Sequence, residues 1–205
     1  TNKDQVVLSQ VLIQSLKEIN PHIPGEIIHD EAKAIIEDAS LNSKLLKDKN
    51  YERYQDILNG IKVKFRREGK ETIEYLNLID YENPKNNTFT VARQVWIDGE
   101  YGYRRPDILV YINGLPLVWI ELKKPSENVQ LGYTYNLINQ KHDIPQLFFF
   151  NQLCIISNGH QTKAGSYNSS FSHYFEWLKV DDEKEKIDRK MIDNNEISLQ
   201  YLIKG

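Results

Sequence analysis

The chain has 205 residues, 40% hydrophobic and 27% charged, with a formal net charge of −3. These proportions exclude disorder for the whole and allow one domain to bury roughly 70% of its unfolded surface without a disulfide or metal. The negative balance excludes a passive basic coat, so any nucleic-acid contact must be local. The single cysteine, Cys154, sits in an apolar run, which excludes a disulfide-stapled secreted scaffold and points to a buried thiol in a reducing, cytoplasmic setting. The most apolar stretch, 147-LFFFNQLCII-156, is too short to cross a bilayer, and no secretory signal is legible over residues 1–20.

Apolar residues at helical spacing predict a helix over 4–19 and, after Pro21 and Pro24, a second over 25–38 with acids in its first turn. A third covers about 48–58 and ends at Gly60. The period then changes to two. Residues 61–68 alternate Ile61, Val63 and Phe65 against Lys62, Lys64 and Arg66, and 71–79 alternate likewise after a turn at Gly69, giving a two-stranded ribbon. Its cluster Lys62, Lys64, Arg66, Arg67 and Lys70 lies largely on one face, where it either tracks a DNA backbone or is simply a wet strand face. Strand-like runs follow at 88–97, 107–112 and 115–122. Then come a helix at 128–142 in which Gly132 is unfavourable, an apolar segment opened by Pro145, and a buried strand at 152–157. The domain is expected over 1–180, with 181–205 as a charged linker into a further part of the polypeptide, ending in an amphipathic piece at 196–203.

The sharpest signal is 105-RPDILVYINGLPLVWIELKKP-125, which reads as strand, Asn-Gly turn, strand. Asp107 opens the first strand; Glu121 and Lys123 close the second, two apart and so on one face. Charges beside such apolar runs are costly without partners, and two carboxylates with an ammonium make a reasonable Mg²⁺ site. The register tests this. A strict two-residue turn at Asn113-Gly114 pairs Asp107 with Ile120, whereas a three-residue loop or a bulge pairs Asp107 with Glu121. The alternative is that these three residues are ordinary strand-end charges.

This stretch resembles the N-terminal nuclease domain of type I restriction-modification R subunits. So do 19-INPHIP-24, 60-GIKVKFRREG-69, 79-IDYENPKNN-87 and 143-DIPQLFFFNQLCIISNG-159, and the segments occur in order over about residues 10–178. The resemblance implies an α/β, restriction-endonuclease-like PD-(D/E)xK core, with a mixed, mostly antiparallel central sheet flanked by helices. It maps the motif to Pro106-Asp107 and Glu121-Leu122-Lys123. It implies Mg²⁺-dependent cleavage of double-stranded DNA, with Asp107, Glu121 and the Leu122 backbone carbonyl as metal ligands and Lys123 acting on the attacking water. It further implies an ATP-driven motor further along the same polypeptide, and methyltransferase and specificity subunits as partners. Where relatives carry Gln-x-x-x-Tyr in the next helix, this chain departs with Asn136 and Gln140: both are expected on the DNA side, Asn136 able to hydrogen-bond a phosphate and Gln140 unable to stack as tyrosine would.

Arg104 and Arg105 directly precede the motif and read as phosphate contacts or as solvated loop charges, with Lys124 in a supporting place. Trp119 shares the face of Glu121 and is expected to pack beneath the site. The five histidines show no zinc spacing, and 159-GHQTKAGS-166 lacks the ending of a phosphate loop. The rival reading is a non-catalytic module that clamps DNA or docks subunits, with the charged triad as a structural ion pair. Convergence of the three groups in an open pocket favours the enzyme. If Glu121 is buried in a salt bridge with no room for a hydrated ion, the enzyme reading fails.

Overall fold

The computed structural model describes residues 5–38 and 45–177. The expected boundary at 180, the charged linker at 181–205 and the amphipathic piece at 196–203 lie outside the described residues.

Three helices come first: α1 (Ser9–Ile19), α2 (Gly25–Asp38) and α3 (Leu46–Asn59). The last two match the periodicity closely. Helix α1 begins later than residue 4, because Val6 and Val7 are buried and Leu8 donates its N–H to the Gly114 carbonyl at 2.9 Å. That bond holds the preceding residues against a strand turn instead of in a helical one. Buried Lys49 of α3 donates to both carboxylate oxygens of Asp38 at 2.6 Å, and Arg53 bridges Asp38 and Asp56, tying α3 to the end of α2.

Strands β1 (Ile61–Arg67) and β2 (Lys70–Leu76) form the expected ribbon. Lys62, Lys64 and Arg66 are exposed, while Arg67, on the other face, is held by Glu74 and the His22 carbonyl. Buried Asn20 attaches the ribbon to α1: its amide donates to the Asn77 carbonyl and its carbonyl accepts the Asn77 N–H, both at 2.9 Å.

The central sheet has six strands: β3 (Phe89–Arg93), β6 (Ile108–Ile112), β7 (Leu115–Leu122), β8 (Leu153–Ser157), β9 (Thr162–Gly165) and β10 (Phe175–Glu176), in the order β10-β9-β8-β7-β6-β3. Only β7 and β8 run parallel; the other neighbours are antiparallel. This is the mixed, mostly antiparallel sheet expected. Its two-residue β10 and four-residue β9 escaped the sequence reading because they are too short to show a period. The run 88–97 is not one strand. It bends after Arg93, and a separate hairpin of β4 (Ile97–Gly99) and β5 (Gly102–Arg104) follows.

The turn between β6 and β7 is the two-residue kind, with Ile112 opposite Leu115 and both Asn113 and Gly114 at positive φ (51° and 84°). Asn113 is fully buried: its carbonyl accepts the Thr88 N–H, and its amide donates to Leu78 O and to Asn87 Oδ1 at 2.8 Å. One step on, Tyr111 pairs with Pro116 but Val110 pairs with Val118, so Leu117 is bulged out of the ladder. Pro116 has no N–H to give the ladder. The Leu117 carbonyl turns instead to the approach to β8, accepting Gln152 N–H at 2.8 Å and the Asn151 amide at 3.3 Å. From there the register runs through Ile108 opposite Ile120, which sets Asp107 opposite Glu121.

A helix crosses the face carrying Trp119, Glu121, Cys154 and Ile156. It has π geometry over Gly132–Leu137 and α geometry as α4 (Ile138–Asp143). The periodicity predicts a helix over 128–142 weakened at Gly132, and it does not show the π turn that begins there. Trp119 and Cys154 are wholly buried beneath it, and burial pushes the Cys154 thiol up to about 12. Among the described residues no helix is long and apolar enough to cross a membrane.

At Gly114 a Cβ would come within 2.7 Å of the Leu8 carbonyl, in a left-handed backbone that suits glycine. Gly114→Ala should destabilise the chain by about 2 kcal/mol or more. The check is the urea midpoint, which falls at an unchanged slope.

Candidate active site

Asp107 stands just before β6, and its backbone carbonyl accepts the Gln94 N–H at 2.9 Å. Gln94 adopts a positive φ of 51° there, the left-handed step by which β3 turns away into the β4–β5 hairpin. Asp107 Oδ2 accepts the Leu122 N–H at 2.9 Å, bridging the two strands at their open end. Its other oxygen has no hydrogen-bond partner among the described residues.

Glu121 points to the helix-covered face and is 3% exposed. Its Oε1 accepts a hydrogen bond from Lys123 Nζ at 2.8 Å, and its Oε2 is buried with no hydrogen-bond partner among the described residues. Burial raises the Glu121 carboxyl above the ordinary glutamate range; Lys123 lowers it and the charge of Asp107 raises it further. The Gln140 amide also acts to lower it but closes no hydrogen bond to Oε2. The influence of Asp107 on Glu121 agrees with the register: groups opposite each other across a ladder have Cβ atoms about 4.5–5.5 Å apart.

Lys123 leaves the sheet at the end of β7, its N–H donating to the Ser157 carbonyl at 2.8 Å. This backbone bond aims its side chain along the same face as Glu121. The structure thus brings Asp107, Glu121 and Lys123 together, with the predicted bulge supplying the register. Glu121 is nevertheless buried in a salt bridge, the first half of the condition under which the enzyme reading fails, and one oxygen remains over. Among the described residues no three His, Cys, Asp or Glu side chains gather as metal ligands. Any cation here would therefore rest on two carboxylates, backbone oxygen and water.

The other expected residues divide. Arg104 is bound to Asp143 through Nε and Nη2, so its guanidinium braces β5 against the end of α4. Arg105 is exposed, and its guanidinium lies over the Trp96 ring, 5.2 Å from the centroid. Lys124 is exposed, with its N–H on Glu127 Oε2 at 3.2 Å. Asn136 is half-buried in the π turn. Gln140, expected toward DNA, is 3% exposed and accepts the Trp119 indole N–H at 2.9 Å. It lies under the site, because its side chain fills the space between Trp119 and Glu121.

Two contributors escaped the sequence reading. Gln94 clamps Asp107 by a backbone bond, which side-chain chemistry does not announce. Gly132 was noted only as a helix weakness. A Cβ there would meet Ile156 Cγ2 at 2.5 Å, Glu121 Cγ at 3.5 Å and Lys123 Cε at 3.6 Å, so the helix touches the strands through its backbone. A glycine placed mid-helix opposite a predicted strand is the signal that would have found it. Gly132→Ala should overpack this contact and cost about 1–3 kcal/mol, read as a lowered thermal midpoint.

A family model described as type I restriction enzyme R protein N terminus matches residues 1–173. The type I restriction enzyme HindI endonuclease subunit of Haemophilus influenzae is 32% identical over 203 residues, covering 98% of this chain and 19% of the relative. The type I restriction enzyme SsaAORF53P endonuclease subunit of Staphylococcus saprophyticus is 32% identical over 151 residues, covering 67% of this chain and 16% of the relative. The chain spans less than a fifth of the length of these curated relatives. The ordered sequence segments, the sheet that assembles them and these matches agree: the chain belongs to the family of type I restriction enzyme R protein N termini.

Proposed function

We propose that this chain is the endonuclease module of a type I restriction enzyme R subunit, with a PD-(D/E)xK site that hydrolyses phosphodiester bonds of double-stranded DNA at Asp107, Glu121 and Lys123. The observation that carries this reading is the buried, partnerless Glu121 Oε2 beside a second carboxylate. A buried anionic oxygen without a partner is costly and persists where something else satisfies it. Hard oxygen donors from two carboxylates, joined by the Leu122 backbone carbonyl, suit Mg²⁺, which keeps several waters and is held by few protein groups. When bound, Mg²⁺ supplies charge neutralisation at the phosphate and acidifies water.

The chain's own residues do the rest. Asp107 is fixed by the Leu122 N–H, and Glu121 is supported from below by Gln140 and Trp119. Lys123 Nζ, 2.8 Å from Glu121 Oε1, donates a hydrogen bond to the attacking water and offsets the growing negative charge of the phosphate. Arg105 and Lys124 lie at the exposed rim, where Lys124 contacts phosphates, and Asn136 reaches the same strand from the helix. On this reading cleavage is coupled to an ATP-driven motor of the same restriction complex. Target reading belongs to the specificity and methyltransferase subunits, in the cytoplasm.

A second reading is favoured by the Lys123–Glu121 ion pair: a clamp or docking module in which the pair is structural. Plasmid cleavage and ATP hydrolysis by the full-length subunit with its partners separate the two. Asp107→Ala and Lys123→Ala should each lower cleavage about 100-fold or more while ATP hydrolysis persists. Cleavage retained in both variants would leave the module reading. Independently, Mg²⁺ should raise the melting midpoint of the wild type and not of Asp107→Ala, because a ligand that binds the folded state stabilises it.

A further inference from the structure

The β4–β5 hairpin is rooted in the candidate site. It leaves the sheet at Gln94 and returns at Asp107, the two residues joined by the Gln94 N–H to the Asp107 carbonyl at 2.9 Å. Alternation along the hairpin sorts its side chains. Ile97 is buried, Arg104 is bound to Asp143, and a Cβ on Gly99 would lie 2.1 Å from the Asp143 carbonyl. That face is locked to the end of α4. The other face turns outward: Trp96 is 48% exposed and Tyr103 65%, with Asp98 paired opposite Tyr103. The Trp96 and Tyr103 rings stand 5.2 Å apart at 59°, an open corner, and the Arg105 guanidinium covers the indole at 5.2 Å.

Such a corner exposes costly aromatic surface on a braced element. Its charges, Arg105 and Asp98, nearly cancel, which suits the face of a base and not a run of phosphates. In intact duplex DNA the base faces are stacked away, so rings of this kind take bases from single-stranded or unstacked DNA. From Arg105 the chain needs only Pro106 to reach Asp107, which places the corner beside the strand that occupies the site. We infer that Trp96, Tyr103 and Arg105 form a stacking corner for an unpaired base of DNA next to the scissile bond. This rests on the nuclease reading for the position of the DNA, but its binding chemistry is read separately.

The test compares the full-length subunit on a labelled duplex containing a short single-stranded gap and on the same duplex ungapped. Trp96→Ala and Tyr103→Ala should each weaken gapped-DNA binding about tenfold, the scale of one lost stack, and ungapped binding less than about twofold. Trp96→Phe, which keeps a ring, should stay near wild type. Gapped-DNA affinities equal to wild type in both alanine variants would overturn the inference. So would unchanged DNA affinities accompanied by lost assembly with the partner subunits, which would assign the corner to protein docking. Asp107→Ala, assayed alongside, should lose cleavage and keep the gap preference. Cleavage that survives in it would count against the nuclease site and not against the corner.

Discussion

The register of the β6–β7 hairpin is the constraint on which the site depends. Side chains alternate along a strand, so a slip of one residue would set Ile120 opposite Asp107 in place of Glu121. Two features acting together prevent that slip. The Asn113-Gly114 turn starts the ladder in one phase, and the Leu117 bulge moves it to the next, so that Asp107 arrives opposite Glu121. Each is held from outside the hairpin. The buried Asn113 side chain bonds residues 78, 87 and 88, the Gly114 carbonyl takes the Leu8 N–H, and the Leu117 carbonyl is held by residues 151 and 152. The first described segment of the chain and the approach to β8 thus both act on a register some distance from the charges it aligns.

Above this frame, the helix over Gly132–Leu137 and α4 sets the environment of Glu121. Glycine at 132 lets the helix backbone come down on Ile156, and this closeness buries the glutamate. The π turn widens the helix where it passes the site, a geometry that recurs at functional positions. Further along, Gln140 takes the Trp119 indole N–H, so the polar atoms beneath the site are satisfied while Glu121 Oε2 above them is not. Burial and the Asp107 charge both work against the ionised glutamate, while Lys123, hydrogen-bonded to it at 2.8 Å, and the Gln140 amide favour it. Apolar residues of similar volume often pack in place of a buried ion pair at no loss of stability, so stability alone does not account for the arrangement.

The arginines before the motif show how one dipeptide divides its work by strand alternation. Arg104 faces inward to Asp143 and braces the β4–β5 hairpin. Arg105 faces outward over Trp96. Neighbouring residues of the same type therefore carry different duties, one holding the hairpin in place and the other belonging to its exposed surface.

Much of this was legible in the residues. Helices α2 and α3, the β1–β2 ribbon and strands β6, β7 and β8 follow from periods long enough to read, and the charges of Asp107, Glu121 and Lys123 stand out against apolar strands. The need for a bulge could be argued from the spacing. Its place at Leu117 could not, because it depends on where β8 offers hydrogen bonds. Nor could the late start of α1, since the apolar spacing of Val7 and Leu8 fits a helix equally well until the Gly114 carbonyl claims the Leu8 N–H. Gln140 was legible as a polar residue on the right helix, but its direction was not: side-chain type fixes what a group can bond, and only packing decides whether water, DNA or Trp119 is there to bond it. The sequence by itself determined the chemical groups, the strands that carry them and the family. Tertiary structure alone decided the partnerless Glu121 oxygen, the locked hairpin and its outward aromatic corner, because each arises from segments far apart in the chain meeting at a single place.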